Sequence, residues 1–208
     1  MRTVNLIPIF KNIYTEIEEN KEYLTELDSL FGDGDLGLSM CDGFLAVSEA
    51  MNSEIDPDFG KTFLNISKII NEAAPSSLGT ILSFLFMGMA KKMKGIDELN
   101  GKLFSESFNN GVLLVSSRAN SNRGEKTILD SLYPVIDILE NENLDTITLS
   151  EITSKMEVAA NEGCEATKSM VAVHGRAAYH KEKTIGVIDG GAYVGYLMMK
   201  GVNKTYNK

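Results

Sequence analysis

Three carboxylates, Asp28, Asp33 and Asp35, fall within eight positions in the stretch Leu27-Asp28-Ser29-Leu30-Phe31-Gly32-Asp33-Gly34-Asp35-Leu36-Gly37-Leu38-Ser39-Met40. Gly32, Gly34 and Gly37 are interleaved with them, so the backbone can bend tightly enough to aim the acids together. That is the composition of a hard-cation site. Mg²⁺ takes oxygen ligands in near-octahedral geometry, keeps several waters, and is usually completed by substrate phosphates. Three convergent aspartates therefore suit one or two Mg²⁺ ions carrying a nucleotide. A solvated surface turn uses the same residue types, and the spacing alone leaves that alternative open. An EF-hand Ca²⁺ loop does not fit, because its periodic Asp/Asn ligands and closing glutamate are missing.

Other reactive residues are sparse. The two histidines, His174 and His180, have no orienting partner at recognisable spacing, so neither a Ser/His/Asp triad nor a Cys/His pair is supported. Cys41 and Cys164 are too few for a disulfide framework and lack metal-ligand spacing, which makes them buried thiols of a reduced compartment.

The elements that must position these residues read as helices. Val4, Ile7, Phe10, Tyr14 and Ile17 repeat at helical spacing, with Glu16, Glu18, Glu19 and Lys21 on a solvated face, and this first helix leads to the acidic loop. Leu38, Cys41, Phe44, Leu45 and Val47 make a second, with Ser39 near its start, where unpaired N–H groups suit a phosphate. Asp56-Pro57 signals a third, and Ser76-Ser77-Leu78-Gly79-Thr80 opens a fourth. Its methionines read as core filler. A fifth fits Leu103 to Arg118 and a sixth Thr127 to Glu140, the latter with Pro134 inside it as a kink or a freed carbonyl. Ser150 caps a long seventh running towards Met170, and an eighth covers Ala192 to Lys200. No alternating β-type runs appear, so the expectation is an all-α chain of about eight helices.

Composition narrows the function classes. The chain has 208 residues, 43% hydrophobic and 24% charged, and no linker or low-complexity tract divides it, so one domain over residues 1–208 is expected. A formal charge of −9 argues against nucleic acid as a partner. The N-terminus lacks a continuous apolar signal region, and the uncharged run from Ala73 to Ala90 carries Pro75, Ser76, Ser77, Gly79, Ser83 and Gly88, a loop entering a buried helix. A cytoplasmic protein with no membrane span is the expectation.

The acidic stretch resembles the signature of the L subunit of dihydroxyacetone kinase, which runs Leu-Asp, four residues, then Asp-x-Asp-His-Gly-x-Asn-Met. Further matches follow in the same order and cover nearly the whole chain: Gly79-Thr80, Gly124-Glu125-Lys126-Thr127 with Asp130, Gly175-Arg176-Ala177-Ala178-Tyr179, and Asp189-Gly190-Gly191-Ala192. The resemblance implies an eight-helix antiparallel barrel whose loops at one end hold ADP or ATP and two Mg²⁺. Asp28, Asp33 and Asp35 would be the metal ligands and act in phosphoryl transfer through Mg²⁺. Leu36, Ser39, Ser76, Ser77, Gly79, Thr80, Gly124, Thr127, Arg176, Asp189, Gly190 and Gly191 would form the nucleotide site. Simple capping by the serines and Thr127, and a turn at Gly124, remain alternatives.

The departures from the pattern point to a remodelled pocket. Leu36 stands where the family usually has histidine, Ser39 where it has asparagine, and Gly190 where it has proline. Glu72-Ala73-Ala74-Pro75-Ser76-Ser77 replaces a Gly-Gly-Ala-Ser-Gly segment. His174 precedes the matched Gly175-Arg176, placed either to face the nucleotide or to cap the loop.

By resemblance the chain is a phosphotransferase subunit that transfers a phosphoryl group to dihydroxyacetone, or a related small ketose, held by a separate K subunit. Bound ADP would be rephosphorylated by an M subunit of the phosphoenolpyruvate phosphotransferase system; exchange of ATP at each turnover is the alternative. A non-catalytic Mg-nucleotide-binding regulatory module is a reading of another class, motivated by Leu36, and a homodimer is left open.

Overall fold

The structure, a computed structural model, describes residues 1–52 and 55–207. All regular elements among the described residues are helical. The α-helices are α1 (Leu6–Glu19), α2 (Lys21–Ser29), α3 (Leu36–Met51), α4 (Phe59–Ala73), α5 (Ser77–Lys92), α6 (Gly101–Ala119), α7 (Leu129–Asn141), α8 (Leu149–Ala166) and α9 (Gly190–Tyr206). Short 3₁₀ turns cover Thr3–Asn5, Thr167–Ser169 and Ala177–Thr184.

The all-α expectation holds, and the expected first helix is divided. Asn20 interrupts it, donating its side-chain amide to the Glu16 carbonyl, so α2 runs separately into the acidic loop. Several ends also move. Asp58, not Asp56, caps α4 by accepting from the Lys61 N–H, while Asp56 accepts from the Asp58 N–H in the turn before it. Thr148, not Ser150, caps α8 in a reciprocal box with Glu151. α8 stops at Ala166, giving way to a 3₁₀ turn, and α9 extends to Tyr206.

Helices α1, α3, α4, α5, α6, α7, α8 and α9 each pack on the next, and α9 returns onto α1, so eight helices close a ring with α2 resting on α3 and α9. Apolar side chains from every wall fill the interior, among them Phe10, Ile17, Phe44, Phe59, Ile66, Leu82, Val112, Leu132 and Leu197. Val4, Leu38 and Leu45, expected to face inward, are exposed. Close approaches rest on small residues. A β-carbon on Gly88 of α5 would come within 2.6 Å of Gly111 Cα on α6. Pro134 removes the N–H that would bond the Asp130 carbonyl, and Gly163 lets α8 lie against that oxygen, where a β-carbon would collide with it.

The α1/α9 seam that closes the ring is charged. Glu16, expected in solvent, is buried, with Lys200 Nζ 2.7 Å from Oε2 and Lys204 Nζ 2.6 Å from Oε1. Burial raises this carboxyl, and the two lysines more than offset it, leaving its pKa below the usual carboxylate value.

Successive connections alternate between the two ends of the ring. At one end Phe59 N–H donates to Ile96 O, Leu99 N–H donates to Met1 O, and Gly101 packs on Leu144. At the other end lie the α2–α3, α4–α5, α6–α7 and α8–α9 connections, in or beside which fall the motifs that carry the family resemblance.

Candidate functional site

The acidic loop is held by its own first carboxylate. Asp28, on the last turn of α2, accepts at Oδ2 from the N–H groups of Gly34 (2.7 Å) and Asp35 (3.1 Å). Gly34 has φ +74°, and a β-carbon on Gly32 would collide with the Asp28 carboxylate, so the loop closes only with glycine at these positions. The result gathers Asp28, Asp33 and Asp35, each offering an oxygen, with all three oxygens within 4.8 Å of one another. Asp28 is half-buried and the other two are exposed. The donor set is oxygen only, which fits Mg²⁺ and suits neither a thiolate nor an imidazole metal.

The electrostatics are those of an incompletely compensated anionic cluster. Arg176 reaches over from the α8–α9 connection to pair with Asp33, and this ion pair holds Asp33 below the usual carboxylate range. Burial, then the charges of Asp33 and Asp28, push Asp35 up. One guanidinium thus faces three acids. A divalent cation there would relieve the remaining repulsion.

Around the cluster the other loops converge. Ser39, buried near the start of α3, donates its hydroxyl to Ser76 Oγ (2.8 Å), and Ser76 caps α5 by accepting from Gly79 N–H (3.1 Å). Ser77 and Thr80 are exposed on the first turn of α5, while Gly79 is buried against Ala74. The serine and glycine roles are therefore at least those of a cap. Leu36 is buried and meets Gly190 at the start of α9, so two of the departures from the family pattern touch each other.

Gly124, at φ +90° with open space beside it, donates its N–H to Asp130 Oδ1 (2.5 Å), and Thr127 donates to Asp130 Oδ2 (2.8 Å). Thr127 Oγ1 accepts from Leu129 N–H at 3.3 Å, at the head of α7. Asp189 caps α9, accepting from Ala192 N–H (2.7 Å), and burial pushes its carboxyl up to about 6. Gly191 packs on Ile128, joining this cap to the Gly124 loop.

Sequence reasoning missed several partners. His174, expected to face the nucleotide or to cap its loop, pairs with Glu125 Oε2 (2.5 Å) and tethers the α8–α9 connection to the Gly124 loop, holding Glu125 down to about 2. His180 packs on Phe31 with ring centroids 5.0 Å apart, a second contact between that connection and the acidic loop. Lys126 and Thr167 bridge loops from beneath. Asp130 and Lys126 stood inside a matched motif, but nothing in their spacing gave them a task.

The comparisons with known proteins bear on the family and the fold. A family model described as "DAK2 domain" matches residues 30–204. The Listeria innocua "PEP-dependent dihydroxyacetone kinase 2, ADP-binding subunit DhaL" is 26% identical, over 92% of this chain and 89% of that protein. The Escherichia coli "PEP-dependent dihydroxyacetone kinase, ADP-binding subunit DhaL" is 29% identical, over 86% and 85%. The crystal structure of the dihydroxyacetone kinase from C. freundii in complex with AMP-PNP and Mg²⁺ shares the fold, with a TM-score of 0.75 at 18% identity. That match spans 96% of this chain and 33% of the longer one. No helix among the described residues is long and apolar enough to cross a membrane.

Proposed function

The chain belongs to the DAK2-domain family, and from that premise we propose that it is the nucleotide-binding, L-type subunit of a dihydroxyacetone-kinase-like phosphotransferase. The carrying observation is the triad of carboxylate oxygens within 4.8 Å at the end of the ring where the matched motifs meet. Asp28, Asp33 and Asp35 would hold Mg²⁺, in one or two ions, and with them the phosphates of ADP or ATP. Magnesium there would offset the charge that develops on the transferred phosphoryl group.

The chain's own residues would do the positioning. Asp28 shapes the loop through two backbone N–H groups while keeping Oδ1 for metal. Ser39, Ser76, Ser77 and the N-terminal turn of α5 with Gly79 and Thr80 would face the phosphates, where unpaired N–H groups favour anions. Arg176, a planar guanidinium already beside the cluster, would move from Asp33 onto phosphate. Gly124, Thr127, Asp189, Gly190 and Gly191 would enclose the ribose and base, with Leu36 as an apolar floor. A separate K-type subunit would supply the acceptor ketose, with phosphate reaching bound ADP from a phosphotransferase-system M subunit, as the PEP-dependent relatives suggest. The assignment to a single cytoplasmic domain follows from the same reading.

Calorimetric titration of nucleotide-stripped protein with ADP tests this. Micromolar or tighter binding that needs Mg²⁺ and disappears with EDTA is expected; no binding under either condition overturns it. A second reading, a regulatory nucleotide sensor without transfer, is favoured by one observation: Leu36 puts a group that neither titrates nor hydrogen-bonds against Gly190. Transfer to dihydroxyacetone with a cognate K subunit, abolished by Asp33→Asn, decides against it.

A further inference from the structure

Lys126 combines two anomalies. It is a lysine 5% exposed, on a backbone with φ +59°, a region that L side chains rarely adopt. Its ammonium donates to two main-chain carbonyls, Thr167 O (2.5 Å) and Val187 O (2.6 Å). A buried ammonium is costly unless it is hydrogen-bonded, and burial lowers its pKa, opposed by Asp189 and Asp130. Strain and desolvation together at one residue mark a place that the surroundings hold for a purpose.

The two carbonyls explain what is held. Thr167 O belongs to the turn that ends α8, and Val187 O lies two residues before Asp189, the cap of α9. Thr167 Oγ1 also accepts from the Asp189 N–H (3.0 Å). Lys126 itself is pinned from its other side, since Asp130 takes the N–H groups of Gly124 and Thr127. The ammonium is thus a buried cross-link between the Gly124–Thr127 loop and the Asp189–Ala192 cap. The ammonium is enclosed and engaged by two main-chain carbonyls, so it would act on a nucleotide through the backbone that it ties.

We infer that Lys126 is a positioning residue that sets the spacing of these two loops, and through it the affinity for the nucleoside part of the nucleotide, without touching ligand or metal. The inference rests on the nucleotide reading above.

The test compares the wild-type chain with Lys126→Met, Lys126→Arg and Thr167→Val. Lys126→Met keeps the stem and removes both donors. Amide hydrogen exchange at 124–127 and 187–192 should rise in Lys126→Met, while α4 and α5 stay protected. Mg-ADP affinity should fall by about 10-fold to 100-fold, the effect of a small misplacement of binding groups. Affinity for Mn²⁺ alone should not change, because the aspartates lie outside this junction. Lys126→Arg, which keeps a donor fork, should recover part of the ADP affinity, a rescue that loss of bulk packing would not give. Thr167→Val loosens the same junction with the charge kept, and covers the case in which Lys126→Met does not fold. Unchanged ADP affinity in the variants beside a binding wild type overturns this inference alone. A wild-type chain that binds no Mg-ADP overturns the nucleotide reading, and this inference with it.

Discussion

The Cδ2 atom of Leu36 lies 2.6 Å from where a β-carbon on Gly190 would stand, so the large side chain at one position requires the absence of one at the other. The contact joins the acidic loop to the cap of α9 before any ligand arrives. Gly190→Ala should therefore destabilise the protein by about 1 kcal/mol, the low end of overpacking because the end of a leucine can swing. In a Leu36→Ala background, itself destabilised by the lost leucine, Gly190→Ala should cost little further. A double-mutant cycle in urea reads the coupling, and additive effects would mean that the contact carries no energy.

Among the aspartates, Asp33→Asn and Asp28→Asn should differ. Asp33 contributes charge and its pair with Arg176; Asp28 also accepts the two N–H groups that fold the loop. Both should abolish Mg²⁺-dependent ADP binding in calorimetry. Only Asp28→Asn should also raise amide exchange at Gly34 and Asp35, since a carboxylate oxygen is the stronger acceptor.

Arg176→Gln should act in opposite directions on metal and on nucleotide. The guanidinium competes with a cation for Asp33, so its removal should tighten Mn²⁺ binding in the absence of nucleotide by about 2-fold to 5-fold. Mg-ADP affinity should fall by about 10-fold if Arg176 moves onto phosphate. Electron paramagnetic resonance of Mn²⁺ with and without ADP measures both. Equal changes of one sign would place Arg176 outside the site.

Asp189 gives a pH signature. Its carboxyl is raised by burial to about 6, so the folded state binds this proton more tightly than the unfolded chain does. Its contribution to stability must then fall as pH rises from about 4 to about 6 and stay low beyond that. Asp189→Asn keeps an acceptor for the Ala192 N–H and should stabilise the protein at pH 8 by about 1–3 kcal/mol, with the gain vanishing near pH 4. Thermal denaturation across that range measures it.

Glu16 should behave inversely. Its pKa is lowered by Lys200 and Lys204 despite burial, so the seam contributes fully above the usual glutamate value and weakens as pH falls through the lowered one. Glu16→Ala leaves two lysines without their shared carboxylate and should cost about 2–4 kcal/mol at pH 7, less than a fully buried pair because both ammonium groups are partly wet. Chemical denaturation at pH 7 and pH 3 should show the gap between variant and parent closing.

Much of the fold was legible because each wall helix buries a stripe at a period of 3.6 residues, as Phe63, Ile66 and Ile70 do on α4. The break at Asn20 was not, since one residue interrupts the path without disturbing the apolar pattern. Glu16 was misread for a related reason: periodicity sorts residues by polarity, and only the lysines of α9 make its burial tolerable. At the site, Asp28, Asp33 and Asp35 announced themselves by proximity along the chain. The ties from Arg176 to Asp33, from His174 to Glu125 and from Lys126 to Val187 join segments far apart in sequence, and no local spacing encodes them.

The alternation of connections between the two ends of the ring bears on how the molecule assembles. Neighbouring helices can pair as soon as each hairpin collapses, because those contacts are local, whereas the mouth needs α1 and α9 to meet and all four loops to be in place. Affinity for a nucleotide should thus be the last property to return on refolding, lagging behind helical ellipticity. A chain nicked in any one of those loops would keep its secondary structure and lose the proposed nucleotide site. On the proposed function, recovery of nucleotide binding would read out ring closure without any probe attached to the protein.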